Sequence, residues 1–78
     1  MNKFTRIQGQ YLAFIYAYTK IHRRAPSEAD MQAYFDLTAP SVHQMVLTLE
    51  RRGLISRIPG QARSIHLLIP PTELPLLE

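Results

Sequence analysis

Apolar residues recur at steps of three and four along residues 7–22, where Ile7, Tyr11, Phe14, Ile15, Tyr18 and Ile21 fall on one side of a 3.6-residue repeat. The spacing predicts an amphipathic first helix with these six side chains turned inward. Lys20, Arg23 and Arg24 load its C-terminal end, where the helix dipole favours cations. Pro26 disfavours helical geometry at Ala25, so the helix is expected to stop near Arg24. Ser27 then precedes Glu28, Ala29 and Asp30, a hydroxyl cap followed by acids at the positive end of a second helix. Met31, Tyr34 and Phe35 supply its buried side, and it ends near Phe35 or Asp36. Asp36 tolerates a left-handed turn, and Leu37 after it is expected in the core.

A third helix begins at Thr38, a cap residue with Ala39 and Pro40 in the first turn, where proline removes no intrahelical bond. Val42, Met45, Val46 and Leu49 line up on one side of it. Pro40, Gln44, Leu47 and Arg51 lie opposite, flanked by Ser41, His43 and Thr48. Gly53 is placed to stop this helix, with Arg51 and Arg52 in its last turn. Residues 54–58 and 63–69 read as two strands around Pro59-Gly60-Gln61-Ala62, a hairpin signal, and Pro70 and Pro71 end the second because neither can donate to a ladder. The domain is therefore expected over residues 1–69, with residues 70–78 a flexible C-terminal tail.

Composition narrows the class. A chain of 78 residues makes one domain with one core. It contains no cysteine, which excludes a disulfide framework or thiolate metal site and suits a reducing cytoplasm. His22, His43 and His66 are too far apart in sequence to form a local metal pair, and no cofactor is expected. No stretch approaches a membrane span, and the N-terminus lacks a signal-peptide apolar run. Formal net charge is +3, but residues 1–70 hold all nine Lys and Arg against only Glu28, Asp30, Asp36 and Glu50, a local excess of +5. Such a domain attracts polyanions, nucleic acid foremost.

The predicted fold is mainly α with a small β-hairpin, three helices followed by a wing, the winged helix-turn-helix arrangement. The outward side of the third helix carries groups that a DNA major groove can use. An amide or imidazole hydrogen-bonds base edges, hydroxyls reach phosphates, and Leu47 can touch a thymine methyl. Gln44, at the centre of that side, can pair both N6 and N7 of adenine. Arg51, Arg52, Arg57 and Arg63 flank the presumed groove and are the expected phosphate contacts. The serines Ser27, Ser41, Ser56 and Ser64 sit at caps, a helix start and the hairpin, with no base arranged beside them, so no enzyme is expected. Binding of double-stranded DNA is the favoured function. The alternative is a winged helix used for protein–protein interaction, since this fold does not fix its ligand.

The segment APSVHQMVLTLERRGLI resembles the recognition helix and its exit into the wing in the N-terminal DNA-binding domain of LexA repressors, and PGQARSIHLL resembles that family's wing turn and last strand. Collinear similarity runs through RRAPSEADMQAYFDL and down to LPLLE. The resemblance implies a LexA-like transcriptional repressor or regulator, cytoplasmic and associated with the nucleoid when bound. It carries base reading onto Pro40, Ser41, His43 and Gln44, and wing contacts with the backbone or minor groove onto Gln61 and Arg63. The turn glycine common in such domains is Asp36 here, and the third helix starts one residue closer to Ser41. LexA repressors continue into a self-cleaving Ser/Lys peptidase and dimerisation domain that these residues do not include. The expectation is therefore a monomer in free solution that pairs on DNA carrying two half-sites.

Overall fold

In the computed structural model, which describes residues 3–78, Thr5 opens the first helix through a reciprocal cap. The Gln8 N–H donates to the Thr5 hydroxyl at 3.2 Å and the Thr5 N–H donates to Gln8 Oε1 at 3.0 Å. Helix α1 runs Arg6–His22 and ends at Arg23, whose φ of 61° turns the chain out of the helix. Ser27 and Asp30 form the same kind of box at the start of α2, Glu28–Phe35, and Asp36 closes it in the left-handed conformation at φ 55°. Thr38 caps α3, Ala39–Arg51. Its exit is a Schellman turn: Gly53, at φ 74°, donates to Glu50 O, and Leu54 donates to Leu49 O, each at 3.0 Å.

The core gathers Tyr11, Leu12, Phe14 and Ile15 of α1, Met31 of α2, and Val42, Val46 and Leu49 of α3, closed below by Leu54, Ile55, Ile65 and Ile69. Tyr11 stacks on Phe35 with ring centroids 4.5 Å apart, and Phe14 meets Tyr34 at 4.7 Å. The first-helix stripe is buried only in its middle, because α2 and α3 cover only that part: Ile7 is 54% and Ile21 74% exposed. Leu37, expected in the core, is 43% exposed. The left-handed turn at Asp36 carries it out over the edge between α1 and α2. Tyr34, also expected on a buried side, is 45% exposed, with its ring against Phe14 and Phe35 and its hydroxyl donating to Glu78 O at 2.7 Å.

Strand pairing is shorter than the sequence pattern suggests. β1, Ile55–Ser56, and β2, His66–Leu67, pair antiparallel with Ile55 opposite Leu67 and Ser56 opposite His66. Beyond them the chain opens into a loop, since Pro59 has no N–H to give and Arg63 adopts a left-handed φ of 56° that breaks extended geometry.

Where a flexible tail was expected, residues 70–78 lie along α1. A 3-10 turn at Pro71–Glu73 leads to Leu74 and Leu77, which rest half-buried against the core. The buried Gln10 side chain reads this segment at both ends of its amide, donating to Leu76 O at 2.9 Å and accepting from the Glu78 N–H at 2.8 Å. Gly9 explains the closeness of approach: a Cβ there would stand 2.9 Å from the Phe4 ring and 3.1 Å from Pro75 Cγ. Arg6 completes the seam with an ion pair to Glu78 at 2.6 Å.

Truncation separates core from surface. Leu49→Ala should cost about 2–5 kcal/mol through a cavity, whereas Leu37→Ala should cost under about 1 kcal/mol because its side chain is already partly hydrated. Thermal melts followed by circular dichroism check both; equal losses would contradict the burial pattern.

Candidate nucleic-acid interface

Val42, Val46 and Leu49 of the α3 stripe are at 0% exposure and Met45 is half-buried beside them, so the opposite side of the helix faces solvent. Pro40, Ser41, His43, Gln44 and Arg51 are exposed there, and Leu47 and Thr48 are half-buried along its flanks. The Ser41 N–H donates to Thr38 Oγ1 at 3.4 Å and the Thr38 hydroxyl donates to Ser41 Oγ at 3.0 Å, which fixes the first turn. Further along, the Thr48 hydroxyl donates to Gln44 O at 2.9 Å and accepts from Arg51 Nη2 at 3.3 Å, drawing that guanidinium back along the helix. Among the described residues, His43 is the member of this row with a side-chain hydrogen bond to a neighbouring helix. Its Nδ1 lies 3.0 and 3.2 Å from the two carboxylate oxygens of Glu28 at the start of α2.

The wing is fastened by polar contacts. Arg63 Nη1 donates to Asp30 Oδ2 at 3.0 Å, Ala25 O at 3.1 Å and the Tyr18 hydroxyl at 3.2 Å, joining the wing to α1, the α1–α2 turn and α2. The buried Ser64 hydroxyl accepts from the Ile58 N–H at 2.9 Å and faces Gln61 O at 2.9 Å, closing the loop on itself. Arg57 Nε pairs with Glu50 at 3.1 Å and so links the wing to α3. Arg57 and Arg63 each keep further N–H groups for an incoming anion, because a guanidinium carries five donors.

Between wing and helices lies an open cleft of about 330 Å³, lined among others by Glu28, His43, Arg57, Gln61 and Arg63. It brings together four of the residues singled out from the sequence, while Gln44, Leu47, Thr48 and Arg51 continue along α3 beside it. Arg52 is placed elsewhere. It caps α3 and donates to Lys3 O at 3.0 Å and Gln8 Oε1 at 3.3 Å, on the side of the α1 N-terminus. Among the described residues no cluster of metal-ligating side chains occurs, and no helix is long and apolar enough to cross a membrane.

A third helix turned outward beside a two-stranded wing, on a scaffold of two further helices, defines a winged helix-turn-helix domain. The family model described as the LexA DNA binding domain matches residues 1–64, and the chain belongs to that family. Among its relatives are the LexA repressors of Thermosipho africanus and Thermosipho melanesiensis. Each is 38% identical over 68 residues, which take in 87% of this chain and 34% of the relative. The chain thus spans about a third of the length of these relatives.

Three participants had no signal in the sequence. Glu28 reads there as a helix-start acid and Tyr18 as a core aromatic, and their partners His43 and Arg63 lie far along the chain; Ser64 reads as a hairpin residue, although its partners Ile58 and Gln61 are in the same loop. Asp30 shows what this costs to miss. The Ser27 cap, its backbone hydrogen bond first, holds the Asp30 carboxyl below the ordinary carboxylate range, with partial burial opposing and Ser27, Tyr18 and Arg63 side chains adding. A lowered folded value means that Asp30 contributes stability above the ordinary carboxylate value of about 3.9, a contribution lost as pH falls through the lower folded value. Asp30→Asn should therefore be less stable than the parent at pH 7, and the gap should narrow as pH falls into the acid range below the ordinary carboxylate value. Denaturant titrations across that range check it; a gap independent of pH would contradict the role given to the charge.

Proposed function

We propose that this domain reads duplex DNA with the exposed side of α3 in the major groove, as the DNA-binding part of a LexA-like repressor in the cytoplasm. The observation that carries the reading is the division of α3. Three fully buried side chains on one side leave Ser41, His43 and Gln44 together on the other, next to the cleft that faces the wing. In this reading the three polar side chains contact base edges, with Pro40 and Leu47 supplying apolar contact. Thr48 and Arg51 meet one phosphate strand, and Gln61, with the remaining donors of Arg57 and Arg63, meets the other side of the groove. The role is binding and involves no catalysis.

A single module of this kind buries about 600–1,000 Å² on DNA, too little to select one site among the million or more that a genome offers. Two copies on half-sites about one helical turn apart would supply the missing selectivity, each copy being monomeric in free solution.

Titration with duplex DNA at several salt concentrations tests the reading. Three to five phosphate contacts give a slope of about −2.7 to −4.5 in log K against log salt. A slope near zero, or no binding at low salt, would remove the DNA function and leave the protein-interaction alternative.

Gln44→Ala should weaken binding to a selected site by about 1–3 kcal/mol with an unchanged melting temperature. If that substitution unfolds the domain, the division of α3 into two sides is wrong.

A further inference from the structure

Ser41, Thr48 and Arg51 in the outward row bond within α3 or to its cap, whereas His43 bonds across to α2. The ionised Glu28 carboxylate can only accept hydrogen bonds, and both its oxygens stand within 3.2 Å of His43 Nδ1. Nδ1 must therefore carry a proton. In a neutral imidazole one ring nitrogen donates and the other accepts, so a proton fixed on Nδ1 leaves Nε2 as a bare acceptor. Among the described residues Nε2 has no hydrogen-bond partner, and the His43 side chain is 47% exposed. It sits on the rim of the cleft between α3 and the wing. The other charged groups lining that cleft are Arg57 and Arg63, and each already has an acid of its own, Glu50 and Asp30. Glu28 is thus the acid left to His43.

We propose that Glu28 is a positioning residue for DNA reading: by accepting from Nδ1 it fixes the orientation and tautomer of His43, so that Nε2 selects a base carrying a donor. In the major groove that donor is the N4 amine of cytosine or the N6 amine of adenine, whereas guanine offers only the acceptors N7 and O6, and thymine offers O4 and a methyl group. The inference rests on the major-groove reading of α3. Its particular content is that an acid on the neighbouring helix, which touches no base, decides which base the third helix prefers at one position. Losing the carboxylate frees the ring to flip or change tautomer, and the preference at that position then collapses while the rest of the site is read as before.

Selection from randomised duplexes at pH 8, using the 78-residue chain and its His43→Ala, Gln44→Ala and Glu28→Ala variants, tests this, with melts confirming that each variant is folded. At the base pair where His43→Ala relaxes selection, replacing the adenine or cytosine by its analogue without the amine (purine or 2-pyrimidinone) should weaken binding of the parent by about two- to tenfold, the range of one net hydrogen bond. Glu28→Ala should relax that same base pair and no other, and Gln44→Ala should relax a different one. The proposal is overturned if Glu28→Ala leaves the preference there intact. It is equally overturned if Glu28→Ala only raises binding to every duplex alike, the mark of a removed like charge near phosphates. Binding by the parent that is indifferent to the amine but lost when the purine of that pair is replaced by its 7-deaza analogue would also overturn it, since contact to the N7 acceptor needs a proton on Nε2. Failure of the parent to enrich any sequence is a different result, which defeats the DNA reading of α3 itself.

Discussion

Val42, Val46 and Leu49 have no exposed surface, and the geometry of the molecule follows from keeping them so. Burying side chains of this size contributes about 1.5–3 kcal/mol each, whereas advancing α3 by one residue turns it through about 100° and brings the stripe into water. One rotation of the helix is therefore strongly favoured. The cap at Thr38 and the Schellman turn at Gly53 fix where the helix begins and ends, and so where Ser41, His43 and Gln44 stand along its axis. Their outward placement is a consequence of the core and needs no interaction of its own.

The wing is held in a different way. An isolated two-stranded hairpin is marginal in water, and here the ladder has only two residue pairs. Arg63 and Arg57 supply what the ladder lacks, the first by bridging to α1 and α2, the second by pairing with Glu50 on α3. Both basic side chains thus join the wing to the helices while leaving guanidinium donors beyond the ones these contacts use. Ser64 performs the local part by joining Ile58 to the far side of the loop. The same economy appears on the opposite side of the domain, where Gln8 and Gln10 use buried amides to seat a cap, Arg52 and the C-terminal segment.

What could be read from sequence was local. Caps at Ser27 and Thr38, the left-handed turn at Asp36, the stop at Gly53 and the two sides of α3 all depend on neighbours within a few positions, and the structure contains them. Periodicity alone overstated the burial of Ile7, Ile21 and Leu37, because a stripe says which side turns inward but not how far a neighbour covers it. The site was legible as a set of residue types on α3. Its long-range partners were not: His43 finds Glu28 15 positions away, and Arg63 finds Tyr18 across 45. Nor did composition reveal that Arg52 turns toward α1, since a basic residue at a helix end satisfies the dipole in either direction.

The central claim is that one surface, made of the outward side of α3 and the facing wing, meets the DNA. Titrating the isotopically labelled protein with duplex DNA, and following each backbone amide by two-dimensional nuclear magnetic resonance, tests it most directly. The amides of Ser41, His43, Gln44, Leu47 and Thr48, with those of Gly60, Gln61 and Arg63, should move together and saturate at one concentration. Those of Gln10, Tyr34 and Leu77, on the surface where the C-terminal segment lies, should stay in place. Shifts concentrated around Gln10 and Leu77, with α3 unmoved, would contradict the account.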